Sequence, residues 1–146
     1  MEPTSMGEPT ISKIHQDSRG EMYAITLPGE RELILLHSKA GALRGGHSHD
    51  VDEVVLLLTG TMRYYKRWKG HEQIFTMHSD GLQPVLAEGS PGMQMSSVSI
   101  NPAGEVHMGQ FLEDSWVLEW KVCSNKQSWT NTDYEPWRER VMAHAR

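Results

Sequence analysis

Apolar and polar positions alternate along this chain in short runs, and the runs are the length of β-strands rather than helices. They cover Ile11–His15, Met22–Leu27, Leu33–His37, Val54–Leu58, Thr61–Trp68, Glu72–Met77, Pro84–Leu86, Val98–Ile100, Met108–Leu112 and Trp116–Val122. Turn-forming residues separate them at Asp17-Ser-Arg-Gly20, Pro28-Gly29, Thr59-Gly60, Lys69-Gly70, Ser79-Asp-Gly81 and Asn101-Pro102. Many short strands at this spacing predict an all-β barrel or sandwich. The run Val54–Leu58 is unbroken and reads as a strand buried on both faces. Trp116 and Trp120 share strand parity with Leu118 and Val122, which predicts that they fill the barrel core. The stretch Ala87–Met95, rich in glycine, proline and serine, reads as a surface loop.

Only the end of the chain has helical periodicity. Thr132 followed three residues later by Glu135 reads as a capping box, Pro136 suits a first turn, and Tyr134, Trp137 and Val141 fall on one face. That stripe predicts a short helix packed on the barrel. The expected organisation is a flexible arm over residues 1–10, a barrel over 11–130 and a helical tail over 131–146.

Composition narrows the function classes. A chain of 146 residues is long enough for one domain that buries roughly 70% of its unfolded surface. Cys123 is the single cysteine, so no internal disulfide forms, and a structural thiol is its expected role. The first ten residues lack an apolar signal core and no apolar run reaches membrane-spanning length, which predicts a cytoplasmic protein without a membrane partner. Net charge is -5, and the one short basic stretch, Arg63 to Lys69, reads as a solvated strand face. No broad basic footprint for nucleic acid is present. An exposed apolar strand face would indicate a homodimer.

Chemistry concentrates in Gly41–Gly60, which reads GALRGGHSHDVDEVVLLLTG. On a strand His47 and His49 point the same way. Glu53 in the same straight strand would lie roughly 13 Å beyond His49. One ion binds all three only if the chain folds back, and Asp50-Val51-Asp52 supplies turn-tolerant residues there. A carboxylate entering an apolar interior is costly unless it is paired or metal-bound. His107 follows the turn Pro102-Ala103-Gly104 and heads another strand. Imidazoles with a carboxylate suit one divalent first-row transition metal per chain, whether manganese, iron, cobalt, nickel, copper or zinc. His15, His71, His78 and His144 read as surface residues.

With these residues in place, the chain resembles the cupin superfamily. Gly41, His47, His49, Glu53 and Gly60 match the first cupin motif without a gap. Pro102, Gly104 and His107 match the second, while Ser96 and Phe111 replace its first glycine and its asparagine. Neither departure touches a ligand position. The resemblance covers roughly residues 30 to 122 and implies an antiparallel jelly-roll barrel, with metal held by His47, His49, Glu53 and His107 near one mouth.

A narrower resemblance is to the metal-independent nucleotide-sugar isomerases and epimerases of the same barrel. It rests on Arg44-Gly-Gly-His-Ser-His49, on Asp17-Ser-Arg-Gly20 and on Thr132-Asp133-Tyr134. There the histidines would move protons while Arg44 grips an anionic group or a developing enolate. Glu53 argues for metal, because it completes a ligand set that a metal-free isomerase does not need. The expected function is therefore a metal-dependent enzyme acting on a small polar or anionic molecule by oxygenase or isomerase chemistry, with Arg44 as its catalytic contact. The alternatives are the metal-free sugar isomerase and a non-enzymatic small-molecule sensor.

Overall fold

The structure is a computed structural model and describes residues 7–29, 31–79, 82–87, 90–95, 97–122 and 131–145. Cys123 lies outside them. Thirteen strands run in the order β1 (Thr10–Asp17), β2 (Gly20–Leu27), β3 (Arg31–Ser38), β4 (Leu43–His49), β5 (Asp52–Thr59), β6 (Thr61–Trp68), β7 (His71–His78), β8 (Leu82–Ala87), β9 (Ser90–Met95), β10 (Val98–Asn101), β11 (Val106–Phe111), β12 (Ser115–Val122) and β13 (Asn131–Asp133), followed by α1 (Glu135–Ala145). They form a six-stranded sheet β1-β2-β3-β12-β5-β10, a five-stranded sheet β13-β4-β11-β6-β7, and a separate hairpin β8-β9. Every pairing is antiparallel. Two sheets linked by strands that switch from one to the other make the antiparallel jelly-roll that the sequence predicts.

Between the sheets lies a core of Leu36, Val55, Leu57, Met62, Met77, Phe111 and Val117, with Tyr64 among them. A second cluster on the far face of the five-stranded sheet packs Tyr65, Val106 and Met108 against Trp137 and Val141 of α1. The helix therefore covers that sheet as its apolar stripe predicts. No helix among the described residues is long and apolar enough to cross a membrane.

Five local expectations are corrected. In β12 the buried positions are Ser115 and Val117, and the inward parity continues to Glu119 and Lys121. Trp116, Leu118 and Trp120 thus face outward, partly buried, and Val122 is 54% exposed. Composition favours tryptophan inside, but the polar inward face of β12 is committed to the site described below, and parity sends the tryptophans out. For the same reason β5 is not buried on both faces: Val55 and Leu57 are buried, while Leu58 on the other parity is 43% exposed. Ser90–Met95 forms a strand, not a loop. The capping box is absent, because Thr132 and Asp133 belong to β13, paired with Ser48 and His47. Tyr134 caps the helix instead, its carbonyl accepting from Arg138 N at 2.9 Å. Within the basic stretch, Lys66 is also buried rather than solvated and pairs with Glu105 at 2.8 Å.

Candidate metal centre and cavity

Two strands of one sheet and one of the other deliver the candidate ligands. β4 ends at His49, Asp50-Val51 turns the chain, and β5 starts in the facing sheet at Asp52, so the expected fold-back occurs where the aspartates stand. His107 lies on β11 directly opposite His47. The turn before it is tied to the same corner, with Gly104 N donating to the His49 carbonyl at 2.8 Å and Ala103 N to Asp52 Oδ1 at 2.8 Å.

Arg44 precedes His47 by three residues, an odd spacing that on a regular strand puts the two on opposite faces. Both nevertheless line one cavity. The register between β4 and β11 shifts between His107 and Met108, so the extra residue resets the parity. Gly45 and Gly46 permit this, with φ of 101° and 89°. A Cβ on Gly45 would stand 2.7 Å from the His107 carbonyl oxygen, and one on Gly46 would stand 2.8 Å from the Arg138 stem.

The three imidazoles form a near-equilateral triangle, with ring centroids 4.8, 4.9 and 5.1 Å apart. One ligand nitrogen from each of His47, His49 and His107 lies within 4.8 Å of the other two. Glu53, 1% exposed, joins from the facing sheet. Its Oε2 lies 3.2 Å from His49 Nε2 and its Oε1 3.1 Å from His107 Nε2. Two further residues, absent from the sequence expectation, also hold it. Lys121 Nζ lies 2.5 Å from Oε2, and Asn101 Nδ2 donates to Oε1 at 3.1 Å and stands 2.7 Å from the Tyr64 hydroxyl.

Electrostatics prepare this donor set. Burial, with the neighbouring His107 and His49, pushes His47 down to about 4, so its imidazole is neutral with a free lone pair. Burial pushes the Glu53 carboxyl up, but hydrogen bonds from His107 and His49 and the charges of His107 and Lys121 outweigh it and hold the group well below the usual carboxylate range. His107 Nδ1 faces the Glu105 carbonyl at 3.3 Å, the kind of outer contact that fixes a ligating imidazole's orientation. Three imidazoles, that of His47 neutral, and an ionised carboxylate, converging from both sheets, fit a divalent transition metal.

The cavity beside them measures about 280 Å³. Its floor is apolar, from Leu36, Met62, Phe111 and Val117, and its polar wall includes Arg19, Arg44, Glu119, Asp133 and Arg138. Arg44 is not a solvated arginine: it is 9% exposed, with Nε donating to Ser38 Oγ at 2.7 Å and a terminal nitrogen 3.4 Å from the His37 carbonyl. Arg19 is held by Asp17 at 2.6 Å. Burial and the charge of Glu53 push Glu119 up to about 8. Arg19 and Asp133 were within reach of the sequence only through the short motifs around them, Glu119 and Lys121 only through strand parity, and Arg138 through neither.

No family model and no curated protein matches this chain. Solved structures do. A Bacillus subtilis oxalate decarboxylase is similar over 98% of this chain and 37% of its own, at 18% identity and a TM-score of 0.66. The capsular polysaccharide assembling protein CapF from Staphylococcus aureus is similar over 86% and 33%, at 18% identity and a TM-score of 0.59. The 7S globulin of Momordica charantia is similar over 83% and 34%, at 10% identity and a TM-score of 0.60. The chain spans about a third of the length of each of these. At such identities the likeness is one of fold, the antiparallel jelly-roll that the motif resemblance to cupins implies.

Proposed function

We propose that this cupin binds one divalent transition metal through His47, His49, His107 and Glu53 and acts as an enzyme on a small anionic molecule held in the adjoining cavity. The observation that carries the reading is the convergence of three imidazole nitrogens within 4.8 Å of one another, with an ionised carboxylate against two of the rings. A bound ion there supplies Lewis-acid or oxygen-activating chemistry. The chain's own residues do the rest. Arg44 orients the substrate's negative charge, the apolar floor excludes water, and Glu119, protonated at neutral pH, donates a hydrogen bond into the cavity. The Bacillus subtilis oxalate decarboxylase has Mn(II) centres, which makes manganese a natural first candidate here. Elemental analysis of protein purified without chelator tests the reading, with about one ion per chain expected. Protein that is metal-free and refuses added manganese, iron, nickel and zinc would overturn it.

A second reading keeps the sugar-isomerase expectation. Arg19, Arg44 and Asp133, which carry the narrower motif resemblance, all line the one cavity beside His47 and His107. In that reading the neutral His47 acts as base and chelation leaves turnover intact. Loss of turnover on chelation, restored by metal, decides for the first.

A further inference from the structure

Arg44 carries a buried charge that forms no ion pair among the described residues, although Asp17, Glu119 and Glu21 act on it from farther off. It is 9% exposed, and among the described residues its partners are two neutral oxygens, those of Ser38 and the His37 backbone. A buried guanidinium without a paired anion is costly. The neighbouring carboxyls do not fill the role: Glu21 is held by His37 at 2.6 Å. Asp17 is committed to Arg19, accepting from its backbone N at 2.8 Å and from its guanidinium at 2.6 Å, and to His15 at 3.0 Å. Glu119 lines the same cavity but forms no ion pair with Arg44. Burial pushes it up to about 8, so at neutral pH it is mainly a neutral hydrogen-bond donor.

The apolar floor of the cavity bounds the shape of what pairs with Arg44. Leu36, Val55, Met62, Phe111 and Val117 offer no hydrogen bond, and the volume of about 280 Å³ suits a small molecule. A sugar presents hydroxyls on all sides, and such a floor would strip them of water without replacing the hydrogen bonds. A phosphate dianion is matched by two free cations, whereas Arg19 is neutralised by Asp17 and Arg138 faces Glu135 at 3.6 Å. An acid with one charge and a compact hydrocarbon body satisfies both walls at once.

We infer that the cavity is a binding site for a small monocarboxylate with an apolar body of a few carbons, its carboxylate on the Arg44 guanidinium and its body on the Leu36, Met62, Phe111 and Val117 floor. This rests on the cavity being the ligand site proposed above. It deepens that reading by fixing the ligand's charge and polarity, and it assigns Ser38 a positioning role: its hydroxyl fixes the Arg44 Nε and turns the outer edge of the fork to the ligand.

Calorimetric titration of the full chain at neutral pH tests this, with sodium hexanoate and benzoate, their neutral amides and inorganic phosphate as probes. Both the purified protein and the protein after chelation are titrated. A carboxylate should bind one per chain, the matching amide about tenfold or more weaker, a change of about 1.4 kcal/mol, and phosphate not at all. Arg44→Gln should lose about tenfold or more, Arg44→Lys should recover part of it, and Ser38→Ala should weaken binding a few-fold while metal content stays at the parent value. Should Arg44→Gln fail to fold, Ser38→Ala and the amide comparison still decide. Amides binding as tightly as acids, tighter binding of phosphate, or no binding of either acid would overturn the proposal. Carboxylate binding that vanishes on chelation and ignores Arg44→Gln would place the acid on the metal, overturning the Arg44 site and leaving the metal reading intact.

Discussion

Lys121 Nζ lies 2.5 Å from Glu53 Oε2, a cross-strand pair set by the register of β12 on β5, where Lys121 stands directly opposite Glu53. The lysine head is 11% exposed and the carboxylate 2%, so the pair is nearly dry. The same oxygen faces His49, which makes Lys121 a resident cation competing for the carboxylate that a metal would use. Lys121→Met keeps the bulk and removes the charge. Its chelated form should be destabilised by roughly 2–4 kcal/mol, because one buried charge loses its partner. Added metal should then raise its melting temperature more than it raises the parent's, since stabilisation by a ligand grows with affinity for the folded state. Calorimetric scans with and without metal measure both, and an unchanged chelated form would show that the lysine matters little.

Glu53→Gln separates the two enzymatic readings from the other side. A neutral amide is a poorer ligand and also releases Lys121, so metal content should fall about tenfold or more at limiting metal, and turnover with it. Preserved turnover with lost metal would favour proton transfer by the histidines alone. Metal content is read by elemental analysis after dialysis against a weak chelator.

The pH dependence of stability should carry the mark of Glu119. Its folded value is about 8 against an ordinary value of 4.5, so across that window the folded state holds a proton that the unfolded chain has released. Stability therefore falls as pH rises from about 4.5 to about 8 and levels off above. Glu119→Gln has no proton to lose, and its unfolding midpoint in urea should be flatter than the parent's across the same window. Equal slopes in the two proteins would place the titration elsewhere.

The ligand set was legible because each member is a chemically conspicuous residue at a fixed local spacing. His47, His49 and Glu53 sit within seven positions, and the aspartate turn between them announced the change of sheet. The residues that hold them were not legible. Lys121 is 68 positions from Glu53 and Asn101 is 48, and only strand register brings them together. The inversion of β12 has the same origin. Its two faces read as Trp116, Leu118, Trp120, Val122 and as Ser115, Val117, Glu119, Lys121, and composition alone sends the first set inward. What reverses the choice is the buried acid of the opposite strand, Glu53, whose need for a cation draws Lys121 inside. The strand β4 escaped the pattern because Arg44, Gly45 and Gly46 break its alternation, and that break is the bulge that aligns Arg44 with His47.

Gly46 gives that bulge a direct test. At φ of 89° any other L residue is strained, and a Cβ would strike the Arg138 side chain at 2.8 Å. Gly46→Val should cost roughly 1–3 kcal/mol of stability and weaken metal binding by moving His47. Gly70, also at positive φ but with open space around it, is the control: Gly70→Ala should cost stability while leaving metal binding unchanged. Comparable metal loss in both variants would mean the effect is general unfolding, not local geometry.

The outward tryptophans lead to the last prediction, a homodimer through the outer face of the six-stranded sheet. Trp116, Leu118 and Trp120 are only partly buried there, and Leu58, Ile100 and Val122 are 43%, 59% and 54% exposed. β12, one of the two central strands of this sheet, lies beside β5, and their outward positions from Val54 to Leu58 and Trp116 to Val122 carry no charge. A charged partner would be desolvated against that centre without compensation, so the fitting occupant is another apolar face. A second copy of this chain supplies one at equal concentration, related by a twofold axis. Sedimentation at micromolar concentration should give twice the chain mass. Leu118→Glu, placing a charge at the centre of the face, should give a monomer that still takes up metal, because the imidazoles face the barrel interior. A parent protein that sediments as a monomer, or a Leu118→Glu variant that stays dimeric, would rule this interface out.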